Sequence, residues 1–420
     1  MPIGTPTLLL PLRHRSFRFL YVGQVVSNLG DWLDGLAVII LVVYQWQEGP
    51  TALAALTLAW MVPGAALGPF AGALADRWPK RRTMVVCDLA RAVVVLGLIV
   101  APGVSTVVAL QVLKSVFSCL FAPSRQSAVQ STVPEADLLA ANALGRLSLN
   151  ATKVLGPALG GLLVAAFGPR PVFALDAATF VVSALCLGQL PGLDRIRSAT
   201  HSTGTTFWLD LRAGVAFIVG SPLVRAVVLA IMAEMVIVEI NDTLTVLAFK
   251  GLGMGEALVG LALGASGLGN VLATLLIGQW GGRVRPLTTM GGGMLLVGVV
   301  EAAIGAALIA GLTGYASVWL FALVVCGGGF AAIWVPYGYL LQRETPTALM
   351  ARVSATADGL STVSGMIGPP LGAALTTPLG LGPVFGGTGV ALAILGIGLW
   401  LVQPGAAQPP VTAPSEPVPG

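Results

Sequence analysis

Apolar runs long enough to cross a lipid bilayer recur along the whole of this 420-residue chain. A helix of about 20 mostly apolar residues spans the ~30 Å hydrocarbon core of a membrane. No water reaches that core to bond stray N–H and C=O groups, so only helices and closed barrels cross it. Strands of a barrel alternate apolar and polar residues, and these runs do not. Charged residues make up 10% of the chain and hydrophobic ones 56%, with a mean hydropathy of +0.89. A soluble domain carries about 25% charged residues. The sequence predicts twelve spans, at 17–44, 52–74, 83–101, 105–124, 141–167, 171–190, 224–248, 257–280, 287–311, 315–340, 353–376 and 382–402. The expected fold is an all-α membrane protein of twelve transmembrane helices.

A repeat divides those spans into two sets of six. Gln130–Gly161 aligns without a gap to Gln342–Ala373, 212 residues later, and both copies end in Gly-Pro-x-Leu-Gly. Eight of the 32 aligned positions are identical, among them Gly156, Pro157, Leu159 and Gly160. The first copy runs into span 5 and the second into span 11. Two pseudo-symmetric six-helix halves result, and paired halves in a membrane point to a transporter. The expected organisation is a first half at 1–190, a central cytoplasmic connection at 191–223, a second half at 224–402 and a disordered, proline-rich cytoplasmic tail at 403–420. Within the connection, Phe207–Ile218 is expected to form a short interfacial helix with Trp208 at the headgroup level.

Basic residues fall on one side of these spans. Arg13, Arg15 and Arg18 come before or at the start of span 1, Arg77, Lys80, Arg81 and Arg82 lie between spans 2 and 3, and Arg283 and Arg285 between spans 8 and 9. The other side offers only Arg170 and Lys250. By the positive-inside rule both termini are expected in the cytoplasm. That topology accounts for the net charge of +4 without nucleic acid. No cleavable signal peptide is expected, because the first span is too long for one. The four cysteines all fall inside spans, and no disulfide framework, metal site or cofactor is expected. Nor is an enzyme, since no nucleophile arrangement or nucleotide-binding segment is evident.

Between spans 2 and 3 the chain reads Gly72-Ala-Leu-Ala-Asp76-Arg77-Trp-Pro-Lys80-Arg81-Arg82. This resembles the signature loop of the major facilitator superfamily: Gly-x-x-x-Asp-Arg, then a basic cluster. The Gly-Pro-x-x-Gly-Gly of span 5 is similar to the motif of antiporters in that superfamily. Leu29-Gly30-Asp31-Trp32, Phe121-Ala-Pro123-Ser-Arg125 and Ala141-Asn142-Ala143 resemble the exporter branch that contains macrolide efflux proteins and the enterobactin exporter. The resemblance covers residues 15 to 402. It implies a cytoplasmic gate made by Gly72, Asp76, Arg77, Lys80, Arg81, Arg82 and Arg125, with Asp76 pairing to the start of span 11. The second-half counterpart, Gly278–Arg283, lacks the Asp. Span 4 carries Gln111 and Lys114 where many drug antiporters carry an Arg.

Proline and glycine at Gly156, Pro157 and Gly160, and again at Gly368, Pro369 and Gly372, are expected to bend spans 5 and 11 and let one half rock against the other. Charged residues inside the spans cost about 2.5–3.5 kcal/mol each on insertion scales, so each is expected to face a cavity or a partner. In span 1, Gln24, Asn28, Asp31 and Asp34 form one polar stripe, and Arg146, Asn150 and Lys153 do the same in span 5. Asp88 and Arg91 sit one turn apart in span 3, placed to pair. The first half mixes Asp31, Asp34, Asp88 and Asp176 with Arg91, Lys114 and Lys153. The second holds Glu234, Glu239, Asp242, Glu301 and Asp358 with no base inside its spans. At about 100° per residue, Glu234, Asn241 and Thr245 share a face, so Glu234 is expected to line the cavity; Glu239 points nearly the opposite way.

The expected function is a secondary active exporter of small amphipathic molecules, drug-, macrolide- or siderophore-like, driven by proton antiport. Asp31, Asp34 and Glu234 are the candidates for proton and cation binding, with Gln24, Asn28, Asn241, Lys114 and Lys153 in the same cavity. The alternative is a lipid or lysophospholipid translocase on the same fold. The expected setting is the inner membrane of a prokaryote, with lipid, protons and substrate as partners, and the chain is expected to be a monomer.

Overall fold

The structure, a computed structural model, describes residues 7–75, 78–190, 204–280 and 285–401. Every regular element among them is helical. A short 3-10 turn, Thr7–Arg13, leads into α1 (Arg15–Ile40), which ends in a π-helical turn, Leu41–Gln45. Next come α2 (Pro50–Ala75), α3 (Lys80–Ile99), α4 (Val104–Thr132), α5 (Glu135–Phe167) and α6 (Pro169–Gly188). After the connection come α7 (Gly204–Gly220), α8 (Pro222–Gly251), α9 (Glu256–Trp280), α10 (Pro286–Ile309) and α11 (Ala316–Glu344). The last are α12 (Met350–Gly365), α13 (Gly368–Leu379) and α14 (Leu381–Leu401).

Nine of the described helices are long and apolar enough to cross a membrane, ten if the bent pair of α7 and α8 counts as one span. The two predicted spans still wanting are α3, which carries Arg82, Asp88 and Arg91, and α12 with α13, which is broken. Adding them gives the predicted twelve. The spans that fall short of simple hydropathy are therefore those that hold charge or interrupt the helix.

The structure corrects several boundaries. Helices α4 and α5 extend past the predicted spans to Thr132 and back to Glu135, because the helix continues through polar residues that an apolar run does not include. Span 11 was expected as one bent helix over 353–376. Instead it breaks between Gly365 and Gly368, where Pro369 and Pro370 both lack an N–H to continue the ladder. Span 5 contains a single proline, Pro157, and runs unbroken. A helix does form over the predicted segment 207–218, as α7. It meets α8 at 106° and is tied to α12 by Arg352 Nε–Asp210 Oδ1 at 2.8 Å.

The two halves pack by the same plan. In the first, Gly160 of α5 lies against Leu33 and Leu36 of α1; in the second, Gly372 of α13 lies against Ile240 and Leu244 of α8. Small residues at such contacts let helix backbones approach. A long glycine seam runs between α10 and α14. A Cβ on Gly291 would fall 2.5 Å from Gly396 O, and one on Gly305 would fall 2.6 Å from Gly382 O. One on Gly389 would fall 2.5 Å from Gly298 O. These glycines recur every seven residues, two turns, on both helices.

The buried core is continuous across the halves at one end of the bundle only. Leu33–Val43, Leu53, Leu56 and Val164 of the first half merge there with Ile240–Phe249 and Val259 of the second. At the end where α1 begins, the basic end, the first half keeps separate clusters of its own. One holds Leu20, Met84, Phe121 and Leu187, another Phe17, Val133, Ala141 and Leu144. Apolar packing thus joins the halves at the far end and leaves them apart at the basic end.

The α10–α14 contact yields a test. Gly298→Leu is expected to cost ~1–3 kcal/mol through overpacking, lowering the thermal midpoint of the detergent-solubilised protein. Gly292→Leu, which meets only the edge of Trp400, is expected to leave it within error.

Candidate functional site

A charged cage occupies the interior of the first half. Lys114 of α4 places Nζ 2.8 Å from Asp31 Oδ1, 2.8 Å from Asp34 Oδ2 and 3.5 Å from Asp176 Oδ2. Next to it Arg91 pairs with Asp88 and lies 3.8 Å from Asp31. The Arg91 guanidinium is held between the rings of Phe121 and Phe180, at 4.5 and 4.4 Å from their centroids. Stacking on aromatic faces suits a weakly hydrated guanidinium. Four carboxyl groups therefore share two cations. Asp34, Asp88 and Asp176 are buried, whereas the Asp31 side chain keeps 35% of its surface exposed. Asp31 is the member of the cage through which it meets the space outside.

The sequence of α1 explains how the cage is assembled. Gly30 has no side chain, and a Cβ there would collide with Asp176 and Thr179 of α6. Its absence admits Asp176 to the cage. Asp31 and Asp34 come next, on the turn facing α4. Trp32, within the same motif, packs on Gly156 of α5, where a Cβ would fall 3.0 Å from its Cγ. Further down the stripe Gln24 Nε2 donates to Asn28 Oδ1 at 2.5 Å.

The second half contains a cluster of another kind. Glu234 of α8 is fully buried, and neither carboxyl oxygen has a hydrogen-bond partner among the described residues. Asn241, on one face with it, accepts a bond from Thr388 Oγ1 of α14 at 2.9 Å. Glu301 of α10 is buried with one oxygen unbonded. The expectation that Glu234 lines the cavity is thus corrected: its face of α8 turns into the second-half bundle, toward α10 and α14. Asp242 is the exposed acid of α8, and Glu239 is half-buried. A Cβ on Gly365 would meet Glu239 Cγ at 3.3 Å and Met61 of the first half at 3.6 Å, so Glu239 sits at the junction of the halves.

Lys153 and Arg146 of α5 lie seven and fourteen residues before Gly160, on the same helix face. Gly160 is buried against α1, while Lys153, Asn150 and Arg146 are exposed. One face of α5 therefore passes from interface to open space on the way to the basic end. A charged residue turned to lipid at that depth would be costly. Asp242, the exposed acid of α8, makes no ion pair with Lys153 among the described residues.

At the far end the halves are latched. Lys250 Nζ donates to Val43 O at 2.7 Å and to Gln47 Oε1 at 2.5 Å, and stands 5.5 Å from the centre of the Tyr44 ring. Tyr44 Oη donates to Met254 O at 2.6 Å. Gln47 has φ +56°, the only positive value outside glycine among the described residues, and its Nε2 donates to Tyr44 O at 2.6 Å. Deeper in, Gly161 and Gly260 meet so closely that a Cβ on the first would lie 2.7 Å from Cα of the second.

Residues 20–355 match the profile of the Major Facilitator Superfamily, and a second, overlapping match covers 227–419. The chain belongs to the major facilitator superfamily. It is a multi-pass transporter of that superfamily rather than an enzyme. A relative in Bacillus subtilis, the MFS-type transporter YfiS, is 28% identical over 386 residues, covering 90% of this chain and 91% of that one. The enterobactin exporter EntS of Citrobacter koseri is 28% identical over 405 residues, 93% of this chain and 92% of the relative. The fold matches a peptide transporter POT structure with a TM-score of 0.73 at 15% identity, covering 92% of this chain and 93% of that one. It matches a bacterial homologue of the lysosomal transporter Spinster with a TM-score of 0.72 at 12% identity, covering 92% and 96%.

Of the superfamily's signature loop, Asp76 and Arg77 lie outside the described residues, and Gly72 falls within α2. Lys80 is buried and bonds Ser127 of α4; Arg81 bonds the Gly188 carbonyl of α6. Both ties stay inside the first half. Arg82 is exposed, and Arg125 is half-buried. Sequence reasoning found Asp31, Asp34 and Lys114 but did not bring Asp176 to them. Gly30 was the available signal, a glycine opposite an acid in a neighbouring span. It did not find the latch, although Lys250 is one of only two bases assigned to the far side.

Lys114→Met is expected to leave Asp34 and Asp176 facing each other without a cation, a loss of ~3–5 kcal/mol read as reduced thermal stability in detergent. Adding Asp34→Asn to that variant is expected to restore part of the loss. A Lys114→Met protein melting like wild type would remove the cage from the account of stability.

Proposed function

We propose that the chain is a secondary active exporter of small amphipathic molecules, driven by proton antiport. The observation that carries this reading is the cage: two cations shared among four carboxyls deep in the first half, with Asp31 alone partly exposed. A site with more carboxyls than cations can take up a proton without gaining an unpaired charge. Exchange of that proton through Asp31 couples its movement to substrate bound in the same space. Glu234, buried away from a base, serves as a second proton carrier in the second half. The relative named as an enterobactin exporter supports outward transport of small molecules.

The arrangement of the halves supports alternating access. The basic end faces the cytoplasm by the positive-inside rule, which sets both termini there in an inner membrane. The chain then divides into a first half, 1–190, a connection, 191–223, a second half, 224–402, and a tail. The latch and the glycine contact at the far end hold the outer side shut, and the separate cores at the basic end leave the inner side open. Export requires the opposite state as well, in which the latch breaks and the gate residues of α2 and α3, with Arg125, close the inner side. The break between α12 and α13 and the Gly156–Pro157 step of α5 supply the bending points.

Asp31→Asn is expected to abolish substrate-driven proton movement in proteoliposomes while preserving the folded, monodisperse protein; undiminished coupled transport by that variant would exclude Asp31 from the mechanism. Lys250→Met is expected to shift the population toward outward opening, seen as longer distances between spin labels at the far ends of α1 and α9. Unchanged distances would show that the latch does not hold the outer side.

A further inference from the structure

The exposed basic stripe of α5 has no role in the cage or the latch. Arg146, Asn150 and Lys153 climb from the basic end to mid-membrane along one face, all three exposed. Neither Arg146 nor Lys153 joins an ion pair or a hydrogen bond among the described residues. Arg125 of α4, half-buried, likewise has no acidic partner among the described residues. Unpaired cations along one helix face draw anions and concentrate them. The second half offers the acids Glu239, Asp242 and Asp358 instead. Carboxylates lose their charge on protonation, whereas a guanidinium keeps its charge at any working pH.

We infer that this stripe is a substrate subsite for the anionic group of an amphiphile, with Lys153 as the charge partner, Arg146 as the relay from the basic end and Asn150 as a hydrogen-bond donor between them. The anion pairs with Lys153, and the apolar body of the ligand rests on the exposed leucine Leu149 of the same helix. The repeat carries the same conclusion. The positions equivalent to Arg146 and Lys153 in the second half are Asp358 and Gly365, so the cations belong to one wall alone and a bound anion has one orientation. The inference rests on the exporter reading, and it narrows the substrate class from amphiphiles in general to those bearing an acid. Free organic anions and anionic lipids share that acid, and a choice of probes separates them.

The test uses the full chain in proteoliposomes of zwitterionic lipid, with two probes matched in size, a dansyl alkyl chain ending in a carboxylate and the same chain ending in a quaternary ammonium, and a third, a dansyl-labelled phosphatidylglycerol. The carboxylate probe is expected to be moved at least tenfold faster than the ammonium probe. Lys153→Gln is expected to reduce carboxylate transport about tenfold and so to abolish the preference for carboxylate over ammonium, Lys153→Arg to retain most of the carboxylate transport, and Arg146→Gln to raise the KM about threefold with little change in kcat. Dansyl-fluorescence titration of the purified protein is expected to show the same loss of affinity in Lys153→Gln. Transport of labelled lipid in preference to free carboxylate, with the same Lys153 dependence, would support the subsite and assign it to lipid. Ammonium transport equal to or faster than carboxylate transport would overturn the inference and leave the exporter reading intact, as would a Lys153→Gln protein that handles carboxylate like wild type. A protein that neither binds nor moves any probe under a proton gradient would count against both.

Discussion

Everything in the first half is arranged around the lysine at its centre. A charged group taken out of water is tolerable only when partners replace its hydration, and Lys114 receives three carboxyl groups from three different positions on α1 and α6. No single helix supplies that set. The glycine at position 30 opens the gap for α6, α1 donates two acids from one turn, and Arg91 with its two phenylalanines closes the side. The helices of this half are held by polar contacts at mid-depth and by apolar clusters on either side of them. A membrane offers little hydrophobic drive for helices to associate, so such internal pairs have more to do here than in a soluble bundle.

The second half is built from other materials. Its longest glycine seam, between α10 and α14, has glycines stacked every two turns, and its buried acids Glu234 and Glu301 pair with no cation among the described residues. One half is thus cross-linked by charge, the other by close backbone contact. The same duplicated frame, with Gly160 on Leu33 and Gly372 on Ile240, supports both. Divergence after duplication has gone into what fills the frame: α5 exposes the bases Arg146 and Lys153, whereas α8 and α12 expose the acids Asp242 and Asp358.

The sequence made much of this legible because hydropathy and repeat length act over tens of residues. Twelve spans, two halves and the pairing of Asp88 with Arg91 all come from local spacing. Contacts across the bundle did not. Asp176 joins Lys114 only because a missing side chain on a distant helix makes room, and no spacing rule reports a gap in three dimensions. Glu234 shares a face with Asn241, as its position on the helix required, yet which way that face turned depended on how α8 packs against α10 and α14. The broken span 11 was also partly visible: its second proline, Pro370, distinguishes it from span 5, where one proline is absorbed without a break.

The π-helical turn at the end of α1 sets the rotational phase of the residues beyond it. A wide turn takes in one residue more than an α-helical one, and one residue corresponds to about 100° of rotation. The polar stripe of α1 before the turn and the residues at and after its end, Tyr44 to Gln47, are therefore out of register by about a quarter turn. That offset lets a single helix present acids to its own half at mid-depth and hydrogen-bonding groups to the other half at the surface. The helix serves two neighbours because its own winding is uneven.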